Sequence, residues 1–221
     1  MSGAPTPASS KSVETRCATC RLNEAAHGEC PFHEVRRPAE TVLLHQGERP
    51  SAVMLVQSGD VILRSVSAAG DESALGLRGP GTLLGIEAVT HQTSAVEART
   101  VTDTVLCTID PDVFRRWVAP GQTAAGAVLE YAVRETGQLR AERAALSGEA
   151  PARVARFLLE RFESTGHERL EVSQRLLASV LGIRPETLSR AISSFRREGA
   201  LAPGRGLVIA DAGRLRELAA S

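Results

Sequence analysis

No stretch of this 221-residue chain approaches the roughly eighteen uninterrupted apolar residues of a membrane-spanning helix. No N-terminal stretch joins a basic region to an apolar run and a cleavage site. Both absences predict a cytoplasmic protein with no membrane partner. Charge of one sign is not in excess either: 26 basic and 26 acidic residues cancel, which argues against a chain that coats nucleic acid without regard to sequence. Lysine is nearly missing, with Lys11 alone, and alanine is abundant; this is a composition bias without functional weight. The chain also lacks a nucleophile elbow, a P-loop and a dinucleotide-binding glycine loop, so no enzyme is expected. The glycines from Gly79 to Gly85 are loosely spaced and read as turn residues.

Cysteine is scarce but unevenly placed. Cys17, Cys20 and Cys30 fall within fourteen residues, and Cys107 stands far away in a strand-like segment. A disulfide framework needs an oxidising compartment and usually a much smaller chain, whereas reduced thiols can bind metal. Four thiolates suit an iron-sulfur cluster or zinc. Zinc has a local solution as well, because His33 follows Cys30: Cys17, Cys20, Cys30 and His33 would close a Cys3His tetrahedron, with His27 as another donor. Cys107 would then be a small buried hydrophobe sharing a strand face with Val105 and Ile109. Metal-free thiols are the third reading.

Residues 1–16, rich in Ser, Pro and Ala, read as a disordered lead-in. From Thr41 to Ile109, short apolar runs such as Val53-Met54-Leu55-Val56 and Val61-Ile62-Leu63 alternate with glycines at about ten-residue spacing, the pattern of an antiparallel sandwich or barrel. A β-roll sensor domain with its cysteine-bearing segment is assigned to 17–118. After Pro111 the pattern turns helical, and 119–147 holds one long helix. Along it Ala125, Leu129, Ala132, Thr136, Leu139, Arg143 and Leu146 recur at three- and four-residue steps. A narrow, partly polar stripe suits pairing with a second copy, with Leu129, Ala132, Leu139 and Leu146 as the dimerisation residues; packing on the chain's own β-roll is the alternative. Ser147 to Pro151 reads as a hinge.

Residues 151–221 read as a DNA-binding domain. A helix spans Val154 to Phe162, Ser173 caps a short helix bearing Leu176, Leu177 and Val180, Gly182 breaks it, and Pro185 opens a second helix that stops at Gly199. Two short helices with a glycine turn are a helix-turn-helix signature. Leu201 to Ile209, with Gly204 and Gly206, reads as a two-strand wing. Glu186, Ser189 and Arg190 lie on the face opposite Leu188 and Ile192, at the helix end that such motifs present to the major groove. Arg can bond a guanine edge and Glu a cytosine amino group. Arg196 and Arg197 are assigned to phosphate. Between Pro151 and Ala210 ten arginines stand against six acidic residues, a modest basic excess where DNA is expected.

At these residues the chain resembles the Crp/Fnr family of bacterial transcription regulators, and more closely its iron-sulfur Fnr branch, which senses oxygen or nitric oxide. The resemblance covers nearly the whole chain and implies an α+β architecture: an N-terminal cyclic-nucleotide-binding-like β-roll, a long dimerisation helix and a C-terminal winged helix-turn-helix. Pro-Glu-Thr-Leu-Ser-Arg at 185–190 resembles the Fnr-type recognition pattern and implies an inverted repeat similar to TTGAT-N4-ATCAA, read by a homodimer that contacts RNA polymerase if it is an activator. It also implies Cys17, Cys20, Cys30 and Cys107 as ligands of a [4Fe-4S] cluster. The nine residues between Cys20 and Cys30 exceed the family's usual spacing, and its short helix after the third cysteine is missing. Where a cyclic-nucleotide site needs an Arg for the phosphate, this chain has Gln92-Thr93-Ser94-Ala95, which disfavours a cyclic-nucleotide response.

Overall fold

The computed structural model describes residues 20–26, 30–67, 69–119, 122–145, 147–165, 169–170, 172–204 and 206–220. The lead-in reading, Cys17, His27 and Leu146 lie outside them. A short helix α1 (Arg21–Ala25) precedes eight strands: β1 (His33–Arg37), β2 (Val42–Leu44), β3 (Val53–Ser58), β4 (Val61–Val66), β5 (Glu72–Arg78), β6 (Leu83–Leu84), β7 (Glu97–Thr100) and β8 (Thr104–Ile109). All pair antiparallel in two four-stranded sheets, ordered β1-β8-β3-β6 and β2-β7-β4-β5. This is the expected sandwich. Gly59 turns β3 into β4 at φ 91°, and a Cβ there would stand 2.7 Å from the Asp103 carbonyl oxygen, so the turn requires glycine.

Both faces of each sheet are covered, which is why β3 reads as an unbroken apolar run: Val53, Met54, Leu55 and Val56 are all buried. Met54 and Val56 point between the sheets with Leu44, Val61, Leu84, Ala98 and Leu106. Val53, Leu55 and Ile109 point outward, under Leu22 of α1, Phe114 of α2 (Pro111–Trp117), and Val128 and Tyr131 of α3 (Thr123–Ala145). Asp110 caps α2 by accepting from the amides of Asp112 and Val113 at 2.9 and 3.1 Å.

The second sheet's outer face belongs to the C-terminal domain. Ile62 and Leu77 join a core with residues of α4 (Ala150–Thr165), α5 (Gln174–Val180), α6 (Pro185–Arg197) and α7 (Ala212–Ala220). The strand pair β9 (Arg169–Leu170) and β10 (Leu207–Val208), with a bridge from Leu201 to Ile209, forms the wing. Sequence periodicity did not reveal β9, whose two residues are too few to carry a pattern. The break between α3 and α4 falls at Ser147 and Gly148, inside the stretch read as a hinge, with Gly148 at φ 85°.

Candidate DNA-reading face and thiol site

The α5–α6 unit is built by local chemistry. Ser173 Oγ accepts from the Leu176 amide at 3.2 Å, capping α5. Gly182 takes the left-handed conformation at φ 58°, and the Arg153 guanidinium donates to the Leu181 carbonyl, pinning the turn to α4. Pro185 opens α6 with φ preset for a helix. Leu188, Ala191, Ile192 and Phe195 bury one face of α6, which leaves Glu186, Ser189 and Arg190 exposed on the other. Ion pairs crowd the far end: Arg214 bridges Glu198 and Glu217, and Ser194 donates to Glu198 at 3.0 Å. Arg197 is exposed and reaches Ser194 Oγ at 3.3 Å. Arg196, assigned to phosphate from sequence, donates from its guanidinium to the Gly206 carbonyl at 2.9 Å and so ties the end of α6 to the wing. Arg184, exposed at the N-cap of α6, was not singled out from sequence, although its place directly before Pro185 was a usable signal.

Helix α3 separates its two faces. Ala124, Val128 and Tyr131 are buried on the roll, while Leu129 is 64%, Val133 64% and Leu139 49% exposed. Ala132, Thr136 and Arg143 are exposed with them, and Ala125 is half-buried. The stripe is therefore not the face that packs on the roll. Val133, missed from the stripe, belongs to the same outward surface.

Cys20 and Cys107 pack against one apolar cluster, beside Leu22, Phe32, Phe114 and Trp117. The rings of Phe32, Phe114 and Trp117 meet at 5.7 to 6.0 Å between centroids. Cys107 gets there because it pairs with Leu55 in register, and both side chains point to the helix-covered face. Cys20 gets there as the residue before α1, whose Leu22 is 0% exposed. Cys30 is half-buried and runs through Pro31 and Phe32 directly into β1, with no helix between. None of the three is in a disulfide. Among the described residues no three Cys, His, Asp or Glu side chains stand close enough to share a metal ion. Cys20, Cys30 and Cys107 are therefore not gathered at one point in this arrangement; Cys20 and Cys107 share the apolar cluster, and Cys17 lies outside the described residues. His33 stands on the other face of the sheet from Cys107. Its Nε2 lies 2.8 Å from Thr108 Oγ1, and Thr108 alternates with Cys107 on the opposite face of β8.

The interior of the roll offers little to a cyclic nucleotide. Leu44, Met54, Val56, Val61, Leu84, Ala98 and Leu106 occupy it, and Ser94 of the 92–95 run is buried, its hydroxyl donating to the Val96 carbonyl at 2.9 Å. No helix of the described residues is long and apolar enough to cross a membrane.

Two family models match the chain: a cyclic nucleotide-binding domain over residues 34–119 and a Crp-like helix-turn-helix domain over 152–218. The transcriptional activator protein Anr of Pseudomonas aeruginosa is 27% identical over 186 residues, covering 80% of this chain and 76% of that protein. The cyclic AMP receptor protein of Thermus thermophilus is 28% identical over 185 residues, covering 82% and 86%. The solved structure of FixK2 from Bradyrhizobium japonicum has the same fold, with a TM-score of 0.75 at 23% identity over 86% of this chain and 98% of that one.

Proposed function

The chain belongs to the Crp/Fnr family of DNA-binding transcription regulators, and from that premise we propose that an iron-sulfur cluster held by Cys17, Cys20, Cys30 and Cys107 makes its DNA binding responsive to oxygen or nitric oxide. Regulators of this family are typically dimeric and are not enzymes. The observation that carries the proposal is that Cys20 and Cys107, 87 positions apart in sequence, pack against the same apolar cluster under α1, α2 and α3. A bound [4Fe-4S] cluster would supply a centre that small oxidants dismantle.

The chain's own residues do the rest. Thiolates from the N-terminal segment and from β8 close a long loop, which removes conformational entropy from the undocked segment. Phe32, Phe114 and Trp117 pack in the same apolar cluster as Cys20 and Cys107, both of them half-buried. Leu22 touches the cluster of apolar residues that also seats Val128 and Tyr131, so a change at the thiols reaches α3 directly. The outward face of α3, with Leu129, Ala132 and Leu139, pairs with a second copy. Each copy then presents Glu186, Ser189 and Arg190 to one half of an inverted repeat resembling TTGAT-N4-ATCAA, with Arg197 at phosphate and RNA polymerase as the further partner of an activating complex.

Zinc in a Cys3His site loses support from the engagement of His33 with Thr108, and a cyclic nucleotide from the apolar interior and the missing arginine. The deciding experiment is metal analysis of anaerobically purified protein. About four iron and four acid-labile sulfide per chain, with broad visible absorption, are expected. Zinc alone, or no metal, contradicts the proposal.

A further inference from the structure

Helix α3 is held to the roll in two chemically different ways. Its first half packs Ala124, Val128 and Tyr131 on the apolar outer face. Its second half is polar on the same side. Glu135 and Glu142, about two turns apart, both accept from Arg78 at the end of β5, at 2.7 Å from Nε and 2.6 Å from Nη1. Arg78 is 0% exposed. Glu160 of α4 lines the same cavity as Glu135, across the α3–α4 break. Its neighbour Arg161 pairs with Asp60 of the roll. One buried guanidinium thus meets two carboxylates of α3, and a third from α4 lines the cavity beside them.

Surplus negative charge at a partly buried junction is relieved most cheaply by a proton. Burial raises the Glu160 carboxyl above its ordinary value, Glu142 adds to the rise, and Arg78 and Arg161 oppose it. Burial likewise raises Glu142, against the opposing charge of Arg78 and with Glu135 adding. A half-open cavity of about 430 Å³, lined by Gly79 to Thr82, Tyr131, Glu135, Gln138 and Glu160, gives water access to Glu135 and Glu160. Arg161 and Glu163, with Arg134 stacked over Tyr131, complete the charged groups on its rim.

We propose that Arg78, Glu135, Glu142 and Glu160 form a proton-linked latch at the junction of the β-roll, α3 and α4, which holds the DNA-reading domain docked on the second sheet when protonated and loosens it when the proton leaves. A carboxyl raised in the docked arrangement binds its proton more tightly there. Acid therefore favours docking, and the gain is lost as pH rises through the docked value.

Hydrogen exchange of the full-length protein, corrected for the intrinsic pH dependence of exchange, tests the latch. In the wild type, protection of the amides of α4 and β5 falls at least roughly threefold between about pH 4.3, the ordinary glutamate value, and about pH 8, while β8 amides, on the other sheet, keep theirs. Glu160→Gln, uncharged throughout, holds high and flat protection in α4, and Glu160→Ala, which introduces no amide needing partners, flattens the profile in the same way. A flat wild-type profile, or the wild-type fall persisting in both variants, overturns the latch.

Discussion

Two residues carry the argument about metal, and two carry the argument about DNA. Cys107 sits in the apolar cluster with Cys20, whereas His33 is turned to Thr108. Cys107→Ser is therefore expected to lose iron and sulfide, and His33→Ala to keep both; the reverse pattern in metal analysis would select the local Cys3His site. On α6, Arg190 is exposed at the reading end and Arg197 at the far end. Arg190→Ala should cost about 1–3 kcal/mol at its base and flatten discrimination there, while Arg197→Ala should weaken all sequences alike and lower the salt slope by about one. Binding-site selection with each variant checks the contrast; an unchanged consensus with Arg190→Ala removes that residue from the readout.

At the scale of the element, α1 and α3 are the parts that sequence reading handled least evenly. Helix α1 has five residues, below the length at which periodicity speaks, and only the tertiary fact that Leu22 is fully buried explains it. Leu22→Ala should cost about 2–5 kcal/mol of α1 docking, seen as faster proteolysis ahead of β1 with the roll intact. Helix α3 was legible in length and in its outward stripe, but its inward face was not: Glu135 and Glu142 look solvated until Arg78, from a strand 57 and 64 positions earlier in the sequence, is brought beneath them. The same holds for Arg196, which reads as a helix-end cation until the wing returns to accept from it. Caps and breakers at Ser173, Gly182, Pro185 and Gly199 were legible because each acts within a few residues of itself. With the outward face carrying Leu129, Val133 and Leu139, Leu139→Asp should leave the fold unchanged and yield monomers in sedimentation; an unchanged dimer mass would move the interface elsewhere.

The whole molecule is a roll clothed on both sides: one sheet carries the thiol segment and α3, the other carries the DNA-reading domain. An event at Cys20 and Cys107 thus has a short path, through Leu22, Val128 and Tyr131, to the helix whose far end meets α4 at the break. Coupling of this kind is a difference in free energy between two arrangements, and it must appear as a difference in DNA affinity. The direct measurement is titration of a duplex bearing TTGAT-N4-ATCAA with anaerobic, cluster-loaded protein and with the same preparation after exposure to air or nitric oxide, at one fixed salt concentration and pH. The account predicts at least a roughly tenfold lower affinity after the cluster is lost, about 1.4 kcal/mol, and no such change for Cys107→Ser. Equal affinities before and after cluster loss would contradict it.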